Sequence, residues 1–144
     1  MEKIQKLKIS RISFIINYVL GVFLLSYLFL SGAMMKLPQI LTIFFVLLIL
    51  LFFFEPECII QNYSYFVDPD NITEIRGILT KTQISIPYRS ISGERLRKSF
   101  IGKIFNYGSV IITSSNNEIN IRGIRYPEKL YRMIEEKLNK FRKE

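Results

Sequence analysis

"LRKSFIGKIFNYGSVIIT", Leu96–Thr113, sets two glycines among lysines and aromatic residues, and its reading separates a phosphate-binding α/β fold from an antiparallel sheet. A phosphate cradle needs its glycines to lead into a helix, because bare backbone N–H groups and the helix N-terminus must converge on the anion. Gly108 instead leads into "SVIIT", a β-branched run that reads as a strand. The phosphate-loop pattern also requires Lys-Ser or Lys-Thr directly after its last glycine, whereas the chain has Gly102-Lys103-Ile104. The phosphate-cradle reading is therefore set aside, which leaves a membrane-touching loop or a corner in a sheet, to be decided by what surrounds the stretch.

Downstream, "SSNN" (Ser114–Asn117) makes a hairpin turn into "EINIRGI", where Ile119 and Ile121 share one face. Upstream, "YSYFV" (Tyr63–Val67) ends at the turn "DPDN", "TEIRGIL" follows, and "TKTQISIP" alternates Thr82, Ile84 and Ile86 with polar residues as a half-buried strand does. "SISGERLRK" continues the sheet into the opening stretch. Beyond the strands the period changes. Tyr126-Pro127 opens a helix with proline near its first position, and Leu130, Ile134, Leu138 and Phe141 give it an apolar stripe. Lys137, Lys140, Arg142 and Lys143 then complement the helix dipole at its C-terminal end.

The first part of the chain is of another kind. Ile12–Met35 is uncharged, and so is Leu37–Phe54, whose "ILTIFFVLLILLFFF" (Ile40–Phe54) has no polar face. Both runs reach the roughly 18–20 residues that cross a hydrocarbon core about 30 Å thick at 1.5 Å per residue. Two transmembrane helices are expected. The first exceeds the usual signal-peptide apolar region of about 7–15 residues, so it is read as retained despite "SGA" (Ser31–Ala33). Only Lys36, Leu37, Pro38 and Gln39 separate the runs, which makes a tight antiparallel hairpin, with Pro38 in the first turn of the second helix. Lys3, Lys6, Lys8 and Arg11 precede the first run while the turn has Lys36 alone, so both termini are expected in the cytoplasm. The sequons at Asn62 and Asn71 then read as turn residues. The expected organisation is a basic N-terminus (1–11), a membrane hairpin (12–54), a linker (55–62) and a folded domain (63–144). Fully extended, the linker reaches about 26–29 Å, so the domain stays near the bilayer.

From Glu55 onward there are fifteen Lys or Arg against eleven Asp or Glu, an excess of four. That is compatible with an anionic leaflet and too small for nucleic-acid binding. There is no histidine to serve as general base or metal ligand, and the single Cys58 has no disulfide partner; it reads first as a plain buried thiol, with reversible acylation four residues beyond the second helix as the alternative. Asp68 and Asp70 belong to a turn, where Asp bonds nearby backbone N–H groups, and the adjacent Glu135 and Glu136 cannot face one another on a helix. The chain is expected to be no enzyme and to hold no cofactor or metal.

Arg76-Gly77-Ile78-Leu79, Ile86-Pro87 with Ile91 downstream, Gly102 to Gly108 before Val110–Thr113, and Tyr126-Pro127 at the helix start resemble the bacterial PH-domain (pleckstrin-homology-like) membrane proteins in order and spacing. The resemblance covers roughly Ile59 to Leu138. It implies an N-terminal transmembrane hairpin followed by an α+β PH-like domain, a strongly bent antiparallel sheet capped by a C-terminal helix. It also implies that Gly102 and Gly108 serve backbone geometry at a strand connection, and Gly77 a turn or bulge. Eukaryotic PH domains that bind phosphoinositides carry basic residues at the first strand-turn-strand. "VDPDNIT" is read as that turn here, and its two acids oppose a multivalent phosphate.

The expected function is a membrane-anchored interaction or scaffold module with a membrane or cytoplasmic protein partner. The alternative is a sensor of anionic lipid headgroups through the 98–107 loop, with Lys98, Phe100, Lys103 and Phe105 as lipid-binding residues. Lysines would meet anionic headgroups while the aromatics enter the interface. One of Phe100 and Phe105 is expected to be buried and the other exposed. A sheet edge or the C-terminal helix is expected to support a homo-oligomer, since Gly21 and Ser31 form no regular series of small residues.

Overall fold

The computed structural model describes residues 5–34 and 38–143. Lys3, Lys36 and Leu37, which entered the charge and turn expectations, lie outside the described residues. The chain divides into two compact units, one comprising the N-terminal residues through Ser13 with Ile60–Glu144, the other Phe14–Ile59.

The unit Phe14–Ile59 is built around two long helices. A 3-10 turn at Arg11–Phe14 leads into α1 (Ile15–Met34), and α2 spans Gln39–Asn62, with Pro38 as its N-cap accepting the Thr42 N–H at 3.2 Å. With 20 and 24 residues, the helices are about 30 and 36 Å long. Both are long and apolar enough to cross a membrane, and Phe29, Ile40 and Phe54 stand exposed on them. They touch at Gly21, where an added Cβ would come within 2.8 Å of Phe53 Cε2, so only glycine lets the helices close there. Tyr18 packs on Phe53 at 6.0 Å, and its hydroxyl donates to Glu57 Oε1 at 3.4 Å.

The other unit has the expected α+β fold, with its sheet divided in two and not closed. β1 (Gln5–Leu7), β2 (Tyr63–Val67), β3 (Asn71–Arg76) and β4 (Thr82–Pro87) form one antiparallel sheet in that order. β5 (Ile91–Arg97), β6 (Tyr107–Ser114) and β7 (Glu118–Arg125) form the second. The "DPDN" and "SSNN" turns are closed by Asp68 N–H to Asn71 O at 2.9 Å and Ser114 N–H to Asn117 O at 2.8 Å. Gly77 turns β3 toward β4 at φ 110°, and any Cβ there would collide with Thr80 O. The core is filled by Tyr65, Val67, Ile72 and Ile86 from the first sheet and Val110, Ile112, Ile119 and Ile121 from the second. The C-terminal helix (Pro127–Lys143) closes it with buried Leu130, Ile134 and Leu138, and Phe141 stacks on Tyr88 at 5.6 Å.

Three features differ from the expectation. Gln5–Leu7, inside the basic N-terminus, is a strand that pairs with β2, Gln5 opposite Val67 and Leu7 opposite Tyr65. The helical hairpin is therefore inserted between β1 and β2, and "VDPDNIT" is the second turn of the sheet. Its acids carry no message about the first strand connection. The segment 55–62 is not an extended linker, because α2 continues to Asn62 and β2 begins at Tyr63. Lastly, the connection after β5 contains a short helix, α3 (Phe100–Phe105), which makes the C-terminal helix α4.

Candidate functional site

The β5–β6 connection folds as a capped turn of helix. Ser99 Oγ accepts the Gly102 N–H at 3.0 Å, the Ser99 carbonyl accepts the Lys103 N–H at 2.9 Å, and Asn106 ends α3 in the left-handed conformation. Gly102 faces inward. A Cβ on it would lie 2.5 Å from the Tyr107 carbonyl oxygen, and one on Gly108 2.6 Å from that of Arg97. Both glycines are thus close-approach residues without positive φ.

With Gly102 against β6, the other side of α3 faces out. Phe100 is 79% exposed, Ile104 63% and Phe105 44%, and Lys103 is exposed beside them. The expectation of one buried and one exposed aromatic is corrected: both are exposed, because the inward positions of so short a helix are taken by glycine. Large apolar side chains beside a lysine can enter the interfacial layer of a bilayer while the ammonium stays among headgroups.

Lys98, the fourth residue expected here, has another place. Its side chain is only 13% exposed, and its ammonium donates to Asn106 Oδ1 at 2.9 Å and to the Glu128 carboxylate in the first turn of α4. That hydrogen bond holds the Glu128 carboxyl below its ordinary value. Lys98 thus fixes the end of α3 to α4. Phe100, Lys103, Ile104 and Phe105 are each exposed on α3.

Sequence reasoning missed a second polar group, inside the first sheet. Glu74 is 1% exposed and receives both Nε and a terminal nitrogen of Arg76, at 2.7 and 3.1 Å. This hydrogen bond raises the Arg76 pKa, and the guanidinium lies over the Tyr63 ring at 5.7 Å. Tyr65 pairs with Glu74 across the strands and donates to Asn120 O at 2.9 Å. Burial, helped by the Glu74 charge, pushes its phenol up to about 12. The period-two alternation of Ile72, Glu74 and Arg76 was the signal, since it puts a carboxylate on the face of a core isoleucine.

No curated protein and no solved structure matches the chain. A family model described as bacterial PH domain matches residues 11–138, from the 3-10 turn before α1 into the last turns of α4. A match of that length, over a helical pair, two antiparallel sheets and a closing helix, means that the chain belongs to the bacterial PH domain family.

Proposed function

We propose that the protein is a two-helix membrane anchor whose PH-like domain acts without catalysis as an interaction module at the cytoplasmic membrane surface. The observation that carries this reading is the insertion of the hairpin between β1 and β2. The domain cannot form its first strand pair unless both ends of the hairpin return to the same place, which ties folding to the anchor. Such a tether raises the effective concentration of anything else the domain meets at that surface. The family, and a sequence without histidine, favour binding over chemistry.

The test is topological. With Cys58 replaced by Ser, single cysteines introduced at Ser90 and Asn139 should resist a membrane-impermeant thiol reagent in intact cells and react after lysis. Labelling without lysis, or recovery of the chain in the soluble fraction, would overturn the reading. A second reading, contact with anionic lipid through α3, is favoured by one observation: Phe100, Ile104 and Phe105 are exposed together next to Lys103.

A further inference from the structure

The two sheets leave β1 and β7 each with a single strand partner, β2 and β6. Past the end of β1, the Ser10 N–H donates to the Gly123 carbonyl of β7 at 2.7 Å. Beyond it lies a cavity of about 250 Å³, with Gln5 and Leu7 on the β1 side, Ile124 and Arg125 on the β7 side, and Lys129 and Leu130 of α4 behind. Strand edges carry unpaired N–H and C=O groups that a further strand can satisfy. Leu7, Ile124 and Leu130 supply an apolar floor for the alternate side chains of such a strand.

The charged side chains that line it among the described residues, Arg125 and Lys129, have one sign. Arg125 and Lys129 both lie over the Tyr126 ring, at 5.3 and 5.1 Å, so a guanidinium and an ammonium are gathered beside the same residue. Among the described residues, none that lines the cavity is acidic. An incoming basic segment would be repelled, and an acidic one would find charge-assisted donors. We propose that the slot between β1, β7 and α4 binds an extended acidic segment of a partner protein, which adds a strand to the β1 edge and places carboxylates against Arg125 and Lys129. The inference rests on the interaction-module reading and gives that module its class of partner.

The test uses the full chain in neutral detergent and short fluorescent peptides that alternate Glu or Asp with Val or Ile. Three comparisons accompany them: the same peptides with Lys in place of the acids, the acidic peptides with alternate backbone amides N-methylated, and the acidic peptides against Arg125→Gln/Lys129→Gln protein. Acidic peptides should bind, and the double substitution should weaken them roughly tenfold. N-methylation should abolish binding through loss of strand pairing. Failure of the acidic series to bind, equal binding of the lysine series, or unchanged affinity of the substituted protein would each overturn the slot. Competition by anionic vesicles that leaves the lysine and acidic peptides indistinguishable would reassign the slot to lipid, and overturn it too. Thiol labelling of the same protein in cells reports on the anchor separately. A chain with the expected topology that ignores the peptides removes the slot alone.

Discussion

The Lys98 ammonium reaches the Glu128 carboxylate thirty residues away and pins the β5–α3 corner to the first turn of α4. This pair gives the first prediction. The folded pKa of Glu128 is lowered, so its contribution to stability is complete above the ordinary glutamate value of about 4.3 and is lost as pH falls through the lower folded value. Glu128 is nearly half exposed, which limits the contribution to below about 1 kcal/mol. Lys98→Met should lose that amount at neutral pH and flatten the acid limb of thermal unfolding in detergent. An identical acid limb in both proteins would show that the pair is idle.

Gly123 gives the second. It has φ 62°, and an added Cβ would lie 2.6 Å from Ser13 Oγ and 2.9 Å from Ile9 Cγ2. Gly123→Ala should therefore destabilise by about 2–3 kcal/mol, through left-handed strain and displacement of the segment that follows β1. Gly93→Ala is the control. No atom lies within 4 Å of its Cβ position, and the change should stay within about 0.5 kcal/mol. Denaturant unfolding, with amide exchange of Ser10 as a local probe, separates the two. Equal effects of both substitutions would refute the close-contact account.

These two contacts also mark how far the sequence could be read. The strands from Tyr63 to Arg125 and the helix from Pro127 announce themselves through alternation, turn residues and a Tyr-Pro start, all local signals. β1 does not. Three residues, Gln5–Leu7, have too little pattern to mark a strand, and their partner lies sixty residues away across an insertion. Gly102 lies in the β5–β6 connection, as expected, while Gly108 is the second residue of β6. The short helix that contains Gly102 was hidden because its stabilisers, the Ser99 cap and Asn106 in a left-handed conformation, are single polar residues within an aromatic run. Lys98 and Lys103 look alike in sequence. Only the packing of α4 shows that one is paired and the other exposed.

Tyr65 makes a third prediction. Its phenol ionises at about 12 in the folded state against 10.0 ordinarily, so the stability it contributes is present below pH 10 and disappears as pH rises toward 12. Tyr65 should then titrate late by phenolate absorbance. Tyr65→Phe should remove that late step and cost about 1 kcal/mol for the lost bond to Asn120 O. A spectrum in which the late step survives in Tyr65→Phe would assign it to another tyrosine.

A fourth concerns the strand supplied by the N-terminus. A fragment beginning at Asn62 lacks β1 and leaves the β2 edge bare. It should self-associate through that edge. Restoring Gln5–Ser13 through a flexible linker to Asn62 should return a monomer. The mass from light scattering over a range of concentrations decides it, and a monomeric fragment without β1 would mean that β2 needs no cover.

The last prediction concerns α3. Phe100 is too exposed to hold the core, so Phe100→Ser should leave stability within about 0.5 kcal/mol, far from the roughly 3–5 kcal/mol expected for emptying a buried aromatic site. The same substitution should weaken any contact with lipid. In proteoliposomes of the Cys58→Ser protein, a polarity-sensitive dye on a cysteine at Ile104 should report an apolar surrounding when anionic lipid is present. Phe100→Ser or Lys103→Glu should return the dye to a watery one. Salt should act against Lys103 more than against Phe100, because screening weakens the headgroup attraction and leaves apolar partition almost untouched. Lys98→Glu differs in kind. It sets two carboxylates against each other at α4 and should unfold the corner before any loss of lipid contact can be read. A dye that stays in water with every lipid would leave α3 as a capped corner of the sheet, its apolar side chains free for a protein partner instead.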